Sequence, residues 1–137
     1  MYSKILLAVD GSEHSRKALE AALEFARLSG AEVLLVHFQE RDISKVGVYD
    51  LETQTEGMQL VHTAEAMLEK AGVRTQAVMR PIMYGYAAQE ILAEARVFKP
   101  DLIVMGSRGL SDFMGLLIGS VAHKVMHFAP CPVLVVR

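Results

Sequence analysis

Residues suited to holding a phosphate group cluster at two places: Gly106-Ser107-Arg108-Gly109 and, after nine intervening residues, Gly119-Ser120. The first follows Asp101-Leu102-Ile103-Val104-Met105, which reads as a buried strand. The second opens a stretch from Val121 to His127 with helical character. A strand, a glycine-bearing loop and a helix start gather backbone N–H groups and the positive end of a helix dipole, which favour an anion. Gly106 and Gly109 permit positive φ and close approach of a phosphate, while Ser107 and Arg108 offer a hydroxyl and a cation. Ordinary turn chemistry explains a lone Gly-x-x-Gly equally well. Gly119-Ser120 tips the reading toward a nucleotide, because Ser120 would start a helix whose free N–H groups face the same space. No Gly-Lys-Ser or Gly-Lys-Thr is present, so a P-loop mechanism is unsupported, and the dinucleotide fingerprint is missing after the first strand.

Two more residues belong with these if the topology is right. Asp10 ends the first apolar run and could accept hydrogen bonds from ribose hydroxyls or hold Mg²⁺ through water. The backbone near Phe38 could read a base edge while its ring or neighbours sandwich a purine. The plainer reading of Asp10-Gly11-Ser12 is a helix cap, with Ser12 or Asp10 bonding the first free N–H groups and Glu13 complementing the dipole; the two roles can coexist.

The elements that must bring these residues together follow from the apolar pattern. Ile5 to Val9, Val33 to Val36 and Leu102 to Met105 are continuous apolar runs, as expected of parallel strands covered on both faces. Ser12 to Ser29 carries Ala18, Leu19, Ala22, Phe25, Ala26 and Leu28 at roughly helical spacing and stops at Gly30. Met58 to Ala71 and Tyr86 to Phe98 give two more helices, Val73 to Met79 a strand, Ser120 to Phe128 a short helix and Val133 to Val136 a last strand. Five strands alternating with four helices predict a Rossmann-like, doubly wound parallel α/β sheet of strand order 3-2-1-4-5, with ligands at the carboxyl ends beside strand one, where the order switches. Residues 39–57, polar and mixed in charge, read as a loop partly covering the site.

Composition narrows the classes. A chain of 137 residues with 52% hydrophobic side chains fits one domain, 1–137, able to bury its own core. The net charge of −2, with 14 basic residues scattered along the chain, gives no footprint for nucleic acid. The single cysteine, Cys131, excludes an internal disulfide framework and suits a reducing compartment. The apolar run that Asp10 ends is too short for a membrane span or signal peptide, so a cytoplasmic protein is expected. The five histidines lack metal spacing and read as structural, and Phe113-Met114 reads as pinning the glycine loop to the domain.

With these residues in view, the chain resembles the universal stress protein family, in its ATP-binding subgroup, over essentially its whole length. Lys4-Ile5-Leu6-Leu7-Ala8-Val9-Asp10-Gly11-Ser12 is similar to the family's first strand and turn, and Leu35-Val36-His37-Phe38 to its second strand. Gly106 to Ser120 fits its Gly-x2-Gly-x9-Gly-Ser/Thr pattern, and Pro130 to Val136 its closing strand. The resemblance implies an adenine nucleotide alpha hydrolase-like fold and an adenine pocket lined by Ala8 and Val9. It places Asp10 at the ribose or metal region and Phe38 on adenine through its backbone. Gly106, Arg108, Gly109, Gly119 and Ser120 would surround the phosphates, with Met105 and Val121 at the pocket floor and ribose side. Phe38 and Tyr86 depart from the family's usual small aliphatic residue and proline.

The implied function is an ATP-binding regulatory module, taking ATP, ADP or AMP with Mg²⁺, that acts in the stress response as a homodimer paired through Val133 to Val136. No general base or water-positioning glutamine can be named, so hydrolysis is expected to be slow at most. A signalling receiver would need a phosphoacceptor aspartate where Met79-Arg80-Pro81 stands, and a dinucleotide oxidoreductase would need the missing fingerprint. A true hydrolase or transferase on the same scaffold is the remaining alternative.

Overall fold

The computed structural model describes residues 2–44, 47–50, 52–109 and 118–137. Strands β1 (Lys4–Ala8), β2 (Glu32–Ser44), β3 (Gly47–Asp50), β4 (Thr75–Met83), β5 (Leu102–Gly106) and β6 (Val133–Val136) alternate with helices α1 (Glu13–Ser29), α2 (Gln54–Lys70), α3 (Ala87–Phe98) and α4 (Ser120–Phe128), β3 following β2 directly. The parallel strands run β4-β2-β1-β5-β6, which is the expected 3-2-1-4-5 order, with β3 added antiparallel to the far end of β2. The chain therefore leaves β1 toward β2 on one side and returns toward β5 on the other, and the crevice opens between those two neighbours.

Alternation along the strands divides the core in two. Ile5, Leu7, Val33, Leu35, Leu102 and Val104 pack against α1 and α2. Leu6, Leu34, Val36, Phe38, Ile103 and Met105 pack against α3 and α4. Because both faces are covered, Ile5, Leu6 and Leu7 are all 0% exposed, each contributing about 1.5–3 kcal/mol by burial. Leu28, expected on the packed face of α1, is instead exposed, since it stands only two residues beyond buried Ala26 and so falls off the stripe.

Asp101 joins the two central strands at their starts. Its carboxylate accepts from the Ser3 and Lys4 amides at 2.8 and 3.1 Å, and its own N–H donates to the Lys4 carbonyl at 2.9 Å.

Within residues 39–57 the expected loop is overturned by regular structure. β2 runs on to Ser44, pairing with β4 as far as Arg41 opposite Met83, then turns back as β3. α2 begins at Gln54, earlier than Met58, under a capping box in which Thr53 Oγ1 accepts from the Glu56 amide at 3.1 Å. Main-chain pairing does not require apolar side chains, so the polar run Gln39-Glu40-Arg41-Asp42 hides a strand. Gln39 is buried and donates to the Thr53 carbonyl at 3.1 Å, tying that extension to the start of α2.

Candidate functional site

The carboxyl ends of β1, β2 and β5 meet the first turns of α3 and α4 around one cleft of about 640 Å³, measured out to its open mouth. Ala8, Val9 and Asp10 line it from β1, Phe38 from β2, Met105, Gly106, Arg108 and Gly109 from the end of β5, and Val121 from α4. Nine of the eleven residues expected at the site thus line a single cavity. Ser120 faces an adjoining recess with Glu40, Tyr84 and Lys124, which shares Glu40, Ala87 and Val121 with the main cleft.

Gly119 lines neither cavity. It is buried, and its N–H donates to the Ser107 carbonyl at 2.6 Å, so it fastens the start of α4 to the end of β5. Its amide is thus already occupied within the protein. Among the described residues no side chain caps the start of α4. The first turn of that helix therefore keeps the dipole and the uncapped amides that make a helix start attractive to an anion.

Gly106 also has a different reason from the one expected. It lies in extended conformation at the end of β5, not at positive φ. A Cβ there would stand 2.8 Å from the His14 carbonyl carbon and 2.9 Å from the Ser15 nitrogen. The glycine permits close packing of β5 on the first turn of α1, a backbone-to-backbone contact at the edge of the cleft it also lines.

That contact brings the turn after β1 up to the loop after β5. Asp10 Oδ1 accepts from the Ser12 amide at 2.9 Å, the Asp10 amide donates to Ser15 Oγ at 2.9 Å, and Ser12 caps α1 by accepting from the Ser15 amide at 3.1 Å. The capping role belongs to Ser12, and Asp10 closes the turn beneath it. Across the gap, Ser12 Oγ reaches the Arg108 carbonyl at 3.4 Å, and Arg108 Nη2 lies 3.3 Å from His14 Nε2. A guanidinium only donates, so His14 receives that bond on Nε2 and carries its ring proton on Nδ1. The result is a mixed site, with the Asp10 carboxylate and the Arg108 guanidinium lining a cleft whose remaining walls are mostly apolar.

Several lining residues escaped the sequence reading. Glu40 stands two residues beyond Phe38 and shares its face of β2, legible only once that strand is known to continue. Ala87 and Ile91 come from α3 at the i, i+4 spacing of one face, and Ser15 from α1. Behind the cleft wall, His37 is buried, its Nδ1 donating to the Val9 carbonyl at 2.8 Å and its Nε2 2.9 Å from both carboxylate oxygens of Glu52. The expected pinning role of Phe113 and Met114 lies outside the described residues.

The model of the universal stress protein family matches residues 1–137. A universal stress protein of Thermus aquaticus is 40% identical over 141 aligned positions, covering 100% of both chains. Universal stress protein YxiE of Bacillus subtilis is 34% identical, again over 100% of each. Among solved structures, hypothetical protein MJ0577, a universal stress protein of Methanocaldococcus jannaschii, superposes with a TM-score of 0.77 at 28% identity, over 99% of this chain and 96% of that one. A universal stress protein in complex with cAMP gives 0.72 at 26% identity, over 99% and 97%. The doubly wound sheet carries its cleft at the switch point of the strand order, and the chain belongs to the universal stress protein family.

Proposed function

We propose that the cleft binds an adenine nucleotide, ATP among them, and that the chain works as a nucleotide-occupied regulatory module in the cytoplasm. The observation that carries this reading is the meeting of Asp10, Phe38, Arg108 and Gly109, from three strand ends, in one cavity. Its apolar walls suit a base, and the uncapped start of α4 with Arg108 suits phosphates. The cAMP-bound relative supports the same ligand class.

The residues fit the polar parts of such a ligand in a particular way. Among the described residues no group of three or more histidine, cysteine or carboxylate side chains could hold a metal ion by itself. Mg²⁺ would therefore come with the triphosphate, with Asp10 contributing through water. Gly106 and Gly119 act as scaffold, while Gly109 and Arg108 line the space left for phosphate. Homodimer formation through β6 is supported by its place at the end of the parallel sheet, where one edge of Val133–Val136 has no strand beside it among the described residues. Nucleotide occupancy would then alter the surface or stability of that dimer.

The test is mass spectrometry of the small molecule retained after purification, followed by exposure of the emptied protein to AMP, ADP and ATP. A retained or rebound adenine nucleotide supports the reading. A protein that holds and takes up none of them overturns it.

A further inference from the structure

Phe38 and Arg80 stand directly opposite one another in the parallel register of β2 and β4, so both side chains leave the sheet on the same face. The Arg80 guanidinium carbon lies 5.0 Å from the centroid of the Phe38 ring, within cation–π range. The guanidinium is also held by two carboxylates: Nη1 donates to Glu94 at 2.6 Å and Nη2 to Glu90 at 2.5 Å. Those carboxylates are one turn apart on α3, the helix that also presents Ala87 and Ile91 to the cleft. Arg80 thus links two walls of one slot, the Phe38 wall on β2 and the α3 wall. A partly exposed ion pair contributes little to stability, so the consequence of this fork is geometric: it fixes a ring and a helix relative to each other.

We propose that Arg80 is a positioning residue for base selection: clamped by Glu90 and Glu94, it holds the Phe38 ring against α3 so that the slot accepts adenine and rejects the wider guanine. The inference rests on the nucleotide reading of the cleft. Guanine carries an exocyclic amine that adenine lacks at the same ring carbon, and a wall that cannot yield excludes it by sterics. Arg80→Met removes both the cation and the fork, Glu90→Gln with Glu94→Gln loosens the clamp while leaving Arg80 in place, and Arg80→Lys keeps the charge without the planar fork.

Calorimetric titration of the full chain with AMP and with GMP reads the effect as a ratio of affinities. The wild type is expected to prefer AMP, and that preference is expected to fall roughly tenfold in Arg80→Met and in the double glutamine variant, with Arg80→Lys recovering part of it. A residue that merely stabilises the fold would weaken both nucleotides by the same factor, leaving the ratio unmoved. Wild-type binding of AMP with an unchanged ratio in whichever variants fold overturns this inference alone. Wild-type binding of neither nucleotide overturns the reading of the cleft, and this inference with it.

Discussion

Gly106 backs directly onto His14: a side chain at the glycine would have to occupy the position 2.8 Å from the His14 carbonyl carbon. The end of β5 and the first turn of α1 therefore touch through their main chains. This contact sets Arg108 beside His14 and brings its carbonyl to Ser12, so one side of the cleft is only as well ordered as that packing. Gly106→Ala is expected to cost about 1–3 kcal/mol, the range for overpacking, because the groups it meets are backbone and cannot rotate away. Urea unfolding measures this as a lower midpoint at constant slope. An unchanged midpoint would contradict the packing role.

Asp10 separates charge from turn geometry. Asp10→Asn keeps an oxygen that can accept from the Ser12 amide, whereas Asp10→Ala does not. The alanine variant is expected to lose about 1 kcal/mol of stability and the asparagine variant much less. Both should lose any dependence of ATP affinity on Mg²⁺. Thermal melts and titrations with and without Mg²⁺ check the two halves independently, and a metal dependence retained in both variants would reduce Asp10 to a turn residue.

His37 and Glu52 form a pair whose loss should be felt by the fold. The Val9 carbonyl can only accept, so Nδ1 donates to it, and Nε2 faces the carboxylate. His37→Leu leaves both acceptors without that partner at a largely buried position, for an expected cost of about 1–3 kcal/mol. Adding Glu52→Leu should restore part of the loss, since it removes the partly buried carboxylate while the Val9 carbonyl stays without its partner. Strictly additive losses in the double-mutant cycle would show that the pair is not coupled.

Acid sensitivity should involve Asp101. Burial pushes its carboxyl upward, but the Ser3 and Lys4 amides together outweigh that and hold it below the ordinary aspartate range. A folded-state value depressed below the unfolded one, near about 3.9, gives stability that is present above the unfolded value and lost as pH falls through the folded one. Asp101→Asn should therefore lie below the wild type at neutral pH, with the gap closing below about pH 4. Melting temperature across that range measures it. A gap that widens on acidification would reverse the assignment.

What could be read from the chain followed its apolar pattern. Ile5 to Val9 and Leu102 to Met105 announce buried strands because both of their faces are covered, and the alternation of elements pointed to a doubly wound sheet. The extension of β2 was not legible, because Glu40 to Asp42 pair through main chain while their side chains are charged. A signal for the early start of α2 was present in Thr53-x-x-Glu56, the spacing of a capping box. Asp10 and Phe38 were expected at one edge because they end predicted strands, and Arg108 because it sits in the glycine-bearing loop; all three line the cleft. Glycine identity alone could not separate three roles: Gly106 serves helix packing, Gly119 a main-chain bond, and Gly109 lines the cleft. Contacts made across the fold, such as His37 with Glu52 and Arg80 with Phe38, leave no mark in local spacing.

The most direct test of the account is calorimetric titration of AMP, ADP and ATP into the wild type and Gly109→Val. Gly109 lines the cleft, and a valine there would fill space the phosphates need without touching the core. The expected result is saturable binding to the wild type, an affinity lower by about a hundredfold or more in the variant, some 2.7 kcal/mol, and nearly equal melting temperatures without ligand. Absence of heat with all three nucleotides, or equal affinity in the two proteins, would contradict it.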